Sequence, residues 1–142
     1  MGRGKNRTLP QLGYQQDPIR NGVRSLGAKW TLLIVRDIGF LKLQRFGEIL
    51  RNNPGLTARI LSRRLKDMQK EGLIQRKAAK DAVMYTLTPR GEDAVFILLA
   101  FLRYGLRHHA AEKLSSSKPL PSFEEMIQQF RQLPAVKARK ED

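Results

Sequence analysis

The stretch from Thr57 to Gly72, TARILSRRLKDMQKEG, carries the most complete helix signal in the chain. Thr57 is a favourable N-cap residue, and glycine is favourable just past a last helical turn. Leu61, Leu65 and Met68 recur at intervals of four and three, which predicts one narrow apolar stripe facing a core. At about 100° per residue, the opposite side of this helix is cationic. The residues on that side are Arg59, Arg63, Lys66 and Lys70, with Ser62 and Arg64 towards its flanks.

A helix with one apolar stripe and one cationic face is typical of a DNA recognition helix, because the major groove admits such a helix. The alternative is an ordinary solvated surface. The charge distribution favours DNA. The chain has 27 Lys plus Arg against 13 Asp plus Glu, a net charge of +14 and a pI near 10.8. Between Arg45 and Lys80 there are ten basic and three acidic residues, so half of the net charge lies in about a quarter of the chain.

The segments on either side of this helix predict a winged helix-turn-helix. Residues 45–52, RFGEILRN, form a short amphipathic pattern that the run Asn53, Pro54, Gly55 ends. After Gly72 the apolar period becomes two, which predicts strands around 73–76 and 83–87 joined by a loop at 77–82. A hairpin directly after a recognition helix is a wing. We expect its tip to carry Lys77 and Lys80, where each could contact a phosphate or simply be solvated.

The remaining helical patterns predict a dimer. Residues 19–38 are helical in period, with a division at Gly27, and Thr88 followed by Pro89 opens a long helix to about Leu114. The first half of that helix is apolar nearly all round, so one domain of this size would not cover it on every side. We expect a two-fold interface formed by this helix and the first one. The predicted interface residues are Val23, Leu26, Val95, Leu98, Leu99, Phe101 and Leu102.

The chain divides into four predicted segments. They are a basic arm (1–18), a winged helix-turn-helix domain with dimerisation helices (19–114), a linker (115–121), and a C-terminal helix with a charged tail (122–142). Ser122 and Glu125 have the spacing of a capping box at the start of the last helix. We expect this helix either to pack back on the domain or to exchange onto a partner subunit.

Several classes of function are excluded or disfavoured. The chain has no cysteine, so it has no disulfide, thiolate metal site or thiol sensor, and we expect a cytoplasmic, nucleoid-associated protein. Its longest apolar run, 94–102, is too short to span a membrane. His108 and His109 are adjacent, which does not place them as an i, i+4 metal pair. The carboxylates form no spaced catalytic pair, so we expect neither an enzyme nor a metal or other cofactor.

Five short blocks of residues form a recognisable set over about residues 17 to 105. They are Gly27 to Leu33; Arg45, Phe46, Glu48 and Ile49; Leu61, Arg64 and Leu65; Gly72, Leu73 and Arg76; and Tyr85, Leu87, Thr88 and Gly91. As a set, they resemble the HxlR-type winged-helix transcription regulators, relatives of the MarR group. The resemblance implies a dimeric, sequence-selective DNA-binding protein with the helix from Thr57 in the major groove, the wing at 77–82, and dimerisation through the N-terminal and C-terminal helices.

The chain departs from this family in three ways. Many members have a Cys-Pro pair before the first core helix, whereas this chain has Asp17 and Pro18, which excludes thiol sensing. The wing is short and lacks the usual proline. Residues 115–142 extend beyond the common family length, so no role for them follows from the resemblance.

Three functions remain open from the sequence. In the first, a transcription regulator reads a pseudo-palindrome with half-sites about 34 Å apart. Base contacts would come from Arg59 and Arg63, supplemented by Ser62, in the helix that Thr57 opens; the phosphate contacts would be Arg45, Arg64, Lys66, Lys70, Lys77 and Lys80. In the second, a nucleoid-type architectural protein coats DNA with little specificity. In the third, the basic face binds an acidic protein. The sequence shows no effector site, so any small-molecule effector is unknown.

Overall fold

The computed structural model describes residue 13, residues 17–109 and residues 121–132. This part of the chain is mainly helical with one antiparallel hairpin, which confirms the predicted fold class. The elements are α1 (Pro18–Leu26), α2 (Thr31–Gly39), α3 (Phe46–Asn52), α4 (Ala58–Lys70), β1 (Ile74–Ala79), β2 (Ala82–Leu87), α5 (Pro89–His109) and α6 (Phe123–Arg131). Most of the predicted basic arm and linker, the charged tail, and the predicted helix end near Leu114 lie outside the described residues.

Local capping explains where several helices begin. The Thr57 hydroxyl accepts a hydrogen bond from the backbone N–H of Ile60 at 3.2 Å, as expected of an N-cap. Ser122 and Glu125 form the predicted capping box, with reciprocal bonds of 3.2 and 3.0 Å. The predicted division at Gly27 is also confirmed, because α1 ends just before it. These boundaries follow from short-range residue chemistry alone.

One core lies between α2, α3, α4, the base of the hairpin and the first half of α5. It consists of aliphatic side chains with almost no exposed surface, among them Ile34, Val35, Ile38, Ile49, Leu61, Leu65, Met68 and Leu73. Trp30 packs against the edge of this core. Burial of this apolar area is the main stabilising term for the domain.

One face of α5, which includes three of the predicted interface residues, is buried within the chain. Val95, Leu98 and Leu99 are only 2%, 9% and 4% exposed, because α5 packs against α2 of the same chain. They were predicted to contact a second subunit, but within this chain they belong to the core and expose little surface. The chain covers more of the helix than its apolar composition suggested, since α6 also packs on α5.

A different stripe of α5 is left open. Ile97, Phe101 and Tyr104 follow each other at intervals of four and three and are 42%, 58% and 60% exposed. Leu102, beyond the end of the core, is also exposed. We call Ile97, Phe101 and Tyr104 the open stripe of α5.

Helix α1 runs beside α5 and adds further exposed apolar side chains. The two helices share a cleft lined by Gly22, Leu26 and Ile97. Val23 is 63% exposed and Ile19 is similarly exposed, while Leu26 is half-buried against the core. Of the predicted interface residues, Val23, Phe101 and Leu102 therefore have a large uncovered apolar surface, and Leu26 has a smaller one.

Helix α6 packs on the domain of its own chain. The ring of Phe130 makes edge-to-face contacts with Phe40 and Phe96, with ring centroids 5.2 and 5.9 Å apart. Met126 is buried beneath the same helix. Of the two arrangements expected from the sequence, the structure has the one in which the last helix packs back.

Candidate nucleic-acid interface

Helix α4 is fixed in the domain by its apolar stripe and by both of its ends. Leu61, Leu65 and Met68 are at most 2% exposed, as predicted. At the C-terminal end, Gly72 adopts a left-handed conformation with φ of 75°, which favours glycine. The Gly72 and Leu73 N–H groups donate to Gln69 O and Met68 O at 3.0 and 2.9 Å, the two bonds of a Schellman motif. The orientation of the helix, and therefore of its outer face, is well determined by these contacts.

The outer face of α4 carries the predicted row of cations. Arg59, Arg63, Lys66 and Lys70 are all exposed. Within the part of the chain that the structure describes, none of the four forms an ion pair. Like charges at i, i+3 and i, i+4 repel one another and destabilise a helix by a few tenths of a kcal/mol per pair. An anionic partner would relieve that repulsion, whereas the folded chain alone does not.

Three other predicted contact residues, Thr57, Ser62 and Arg64, are partly buried or form bonds within the chain. Arg64 donates to Asp67 at 2.8 Å, and its side chain is only 21% exposed. Ser62 is half-buried on the opposite flank, and the Thr57 hydroxyl is used in capping. On α4, the cations that form no ion pair within the described residues are therefore those of the predicted row, Arg59, Arg63, Lys66 and Lys70.

Ile60 is a further exposed residue in the first half of α4, and the sequence analysis did not single it out. Its side chain is 41% exposed although it is apolar. The available signal was that Ile60 lies off the stripe formed by Leu61, Leu65 and Met68.

A buried carboxylate holds the turn between α3 and α4. Asp37, on α2, is completely buried and accepts hydrogen bonds from Arg36 Nε at 2.9 Å, Asn52 Nδ2 at 2.9 Å and Asn53 Nδ2 at 2.6 Å. The Asn53 amide also donates to the carbonyl of Ile49 at 2.8 Å. Sequence reasoning missed this cluster, although an acidic residue inside an apolar helix pattern is a signal of such a group. The cluster fixes the chain where it turns towards α4.

Arg45 lies exposed immediately before α3, in line with its predicted place at the helix-turn-helix surface. Its backbone N–H donates to Glu48 Oε2 at 3.3 Å, which helps to begin the helix. The neighbouring carbonyl of Gln44 accepts from the Tyr85 N–H at 2.8 Å. This bond attaches the start of α3 to β2 and so joins the wing to the helix-turn-helix.

The wing is longer in its strands and shorter in its turn than predicted. Strand β1 pairs with β2 from Ile74 opposite Leu87 to Ala79 opposite Ala82, which leaves only Lys80 and Asp81 in the turn. Lys80 is at the tip, as predicted. Lys77 is not, because it lies within β1 opposite Met84. Both lysines are exposed.

Thr88 joins the base of the wing to α4 and α5. Its N–H donates to Leu73 O at 3.1 Å, its hydroxyl donates to Gly72 O, and the same hydroxyl accepts from Gly91 N at 3.1 Å. Gly91 lies so close to the chain after α4 that a Cβ there would be 2.1 Å from Leu73 O. The absence of a side chain at this position permits the close approach.

Helix α3, a tight turn, the basic helix α4 and the following hairpin together define a winged helix-turn-helix protein, the fold class of many DNA-binding regulators. The comparisons with known proteins identify the family. The model of the HxlR-like helix-turn-helix family matches residues 25–113, more than half of the chain. The protein belongs to this family. It is a transcriptional regulator with a helix-turn-helix DNA-binding fold.

Individual relatives agree with this assignment. The chain is 30% identical to the uncharacterized HTH-type transcriptional regulator YdzF of Bacillus subtilis strain 168, over 65% of this chain and 87% of the relative. A crystal structure described as a possible HxlR family transcriptional factor from Thermoplasma volcanium GSS1 is 32% identical, with a TM-score of 0.55, and covers 68% of this chain and 94% of that one. A regulator assigned to the MarR family from Enterococcus faecalis V583 is 28% identical, with a TM-score of 0.59, over 75% and 98% of the two chains.

None of the helices in the described residues is both long enough and apolar enough to cross a bilayer.

Proposed function

We propose that the protein is a homodimeric, sequence-specific transcription regulator that inserts α4 into the major groove of double-stranded DNA. The row formed by Arg59, Arg63, Lys66 and Lys70 is the observation that carries this proposal, since all four are exposed on one side of a helix whose other side is buried. Such a protein acts on the chromosome as a binding protein and not as an enzyme, which places it in the cytoplasm at the nucleoid.

The residues of the row have different roles in this proposal. Arg59 and Arg63 lie in the first half of α4, the part of a recognition helix that reaches base edges, and arginine can bind guanine in a bidentate manner. Lys66 and Lys70 lie towards the other end and contact phosphates, as do Arg45, Lys77 and Lys80. Arg64 contributes less than predicted, because its guanidinium is held by Asp67.

The open stripe of α5 supports the dimer. Ile97, Phe101 and Tyr104 are exposed, and Ile97 lines the cleft shared with α1, the helix on which Val23 is also exposed. A monomer seldom leaves several large apolar side chains together in water. A two-fold axis near this face would place two copies of α4 in successive major grooves, with half-site centres about 34 Å apart.

A second candidate function is low-specificity coating of DNA by a nucleoid-type protein. The net charge of +14 supports it, because binding without sequence preference is driven by cations that neutralise DNA phosphates. An acidic protein partner is the weakest of the three alternatives, since the winged fold and the family both belong to DNA-binding regulators.

Binding of the full-length protein to the DNA upstream of its own gene separates the two leading functions. The control is random DNA of equal length, and both are titrated from low to physiological salt. A sequence-specific regulator should retain the upstream fragment about a thousandfold more tightly. If the protein binds both fragments with equal affinity, and both affinities fall in parallel as the salt concentration rises, the nucleoid-type function is supported instead.

Matched variants test the assignment of base contacts. We expect Arg63→Ala to weaken binding to the preferred DNA by roughly 1 to 3 kcal/mol and to leave binding to random DNA less affected. Arg107→Ala, an exposed arginine near the end of α5, removes the same charge outside α4. If the two variants lose affinity equally on both DNAs, Arg63 contributes charge but no base recognition.

A further inference from the structure

Ile60 is a large apolar side chain exposed in the first half of α4, where Arg59 and Arg63 are also exposed. It is the third residue of the helix and is 41% exposed. About 100° per residue places it roughly 60° around the axis from Arg63 and one turn before it. The two side chains are therefore neighbours on the helix surface. Ile60 lies beside one of the two arginines assigned to base edges, in the part of the helix that reaches deepest into the groove.

Isoleucine at this position does not serve the fold of the chain well. A β-branched residue has a lower helix propensity than Arg, Lys or Gln, and two fifths of this side chain remain in water. A single exposed isoleucine is common on protein surfaces. This isoleucine has a more specific setting, because it lies beside Arg63, which forms no ion pair within the residues that the structure describes.

The flanking charges determine which apolar ligand fits. An apolar protein surface that covered Ile60 would also bury Arg63 and Arg59 without counterions, which is costly. In the major groove, by contrast, apolar and anionic groups lie side by side. Thymine is the base that presents a methyl group there, next to the acceptor atoms of the bases and close to phosphates.

We propose that Ile60 is a specificity-determining residue that contacts the C5-methyl group of a thymine in each half-site, beside the base pair bound by Arg63. This inference rests on the proposed function, since it requires that α4 enter the major groove. It makes the expected operator more specific: a thymine at a fixed step from a guanine, repeated with two-fold symmetry.

Replacing thymine by uracil tests this contact, because the two bases differ only in the methyl group. The full-length protein first selects its preferred sequence from a pool of random duplexes at physiological salt. Each thymine of the selected duplex is then replaced by uracil, one symmetric pair at a time. The dissociation constant is measured by fluorescence anisotropy for the wild type, Ile60→Ala, Ile60→Val and a control, Leu33→Ala. Leu33 is 39% exposed on α2, which carries no residue of the proposed DNA interface.

For the wild type, uracil at one defined position should weaken binding about fourfold per half-site, the factor for burying one additional carbon. Ile60→Ala should bind the thymine and uracil duplexes equally, while Ile60→Val and Leu33→Ala should still distinguish them. Ile60→Val also guards against a general effect of substitution, because it keeps a branched apolar side chain. Circular dichroism confirms that every variant is folded.

Two results would overturn the inference alone. One is a selected sequence without thymine in its half-sites, and the other is a uracil effect that is the same for the wild type and Ile60→Ala. If the selection enriches no sequence at all, the proposed sequence-specific function fails, and the role of Ile60 fails with it. The enrichment step therefore distinguishes failure of the function from failure of the contact.

Discussion

Substitution of Asp37 by alanine should destabilise the domain strongly although no charge on its surface changes. The carboxylate is fully buried and receives hydrogen bonds from three side chains. Arg36 and Asn52 are at least partly exposed and can bind water when the carboxylate is removed. Asn53 is 4% exposed, and its Nδ2 group would keep only the bond to Ile49 O, which leaves one side-chain N–H unpaired.

The expected loss can be estimated from these environments. A buried hydrogen bond to a charged group contributes about 1.5 to 3 kcal/mol, and the two exposed donors contribute less. Together with the small cavity left behind, these terms suggest that Asp37→Ala should lower the free energy of unfolding by about 3 to 5 kcal/mol.

Urea unfolding followed by far-UV circular dichroism measures this change. At a slope near 2 kcal/mol per molar urea, the midpoint should fall by roughly 2 M. All samples need one protein concentration, because dimerisation would contribute to the apparent stability. Asp93→Ala removes an exposed carboxylate of α5 and should change stability by no more than about 0.5 kcal/mol. A loss below about 1 kcal/mol for Asp37→Ala would refute the view that this cluster holds the turn before α4.

Three further substitutions test other contacts. Gly91→Ala places a methyl group 2.1 Å from Leu73 O and should lower the free energy of unfolding by about 2 kcal/mol or more, measured by thermal unfolding. An unchanged unfolding temperature would show that α5 can shift to make room for the methyl group. Phe130→Ala removes two edge-to-face ring contacts and should cost about 2 kcal/mol, with faster amide exchange in α6 but not in α4. If Phe130→Ala changed amide exchange equally in α6 and α4, the packing of α6 on Phe40 and Phe96 would be contradicted. Lys70→Ala should reduce the salt slope of DNA binding by about 0.9 per subunit at every sequence, and an unchanged slope would remove Lys70 from the phosphate contacts.

The features that the sequence predicted well depend on neighbouring residues. Thr57 and Gly72 mark the ends of α4 because capping is decided within one turn of helix, and the stripe of Leu61, Leu65 and Met68 identifies its buried side by period alone. The cationic row then follows by geometry. The same reasoning failed on α5. Its apolar residues surround the helix, so the division into a core face and an open stripe depends on where α2 and α6 pack, which no local pattern contains.

Two other features needed the structure for different reasons. In the segment 77–82, Asp81 is the residue of a type that favours turns, and the strands continue through Ala79 and Ala82 on either side of it. Lys77 therefore lies within β1 and not at the tip. The cluster around Asp37 brings together residues up to seventeen positions apart. The sequence shows that an acid occurs in an apolar helix, but not which donors reach it.

Thr88 connects α4, the proposed recognition helix, to α5, the helix of the proposed dimer interface. Its bonds to Leu73, Gly72 and Gly91 attach the C-terminal end of α4 to the first turn of α5, where no side chain acts as a spacer. In the proposed dimer, the two copies of α4 would then move as rigid extensions of the α5 pair. A shift of 1 to 2 Å at such an interface is typical of regulated assemblies, and it would be transmitted to the recognition helices without being absorbed by a flexible joint. The distance between the half-sites of a natural operator would consequently depend on how the two α5 helices pack in the dimer.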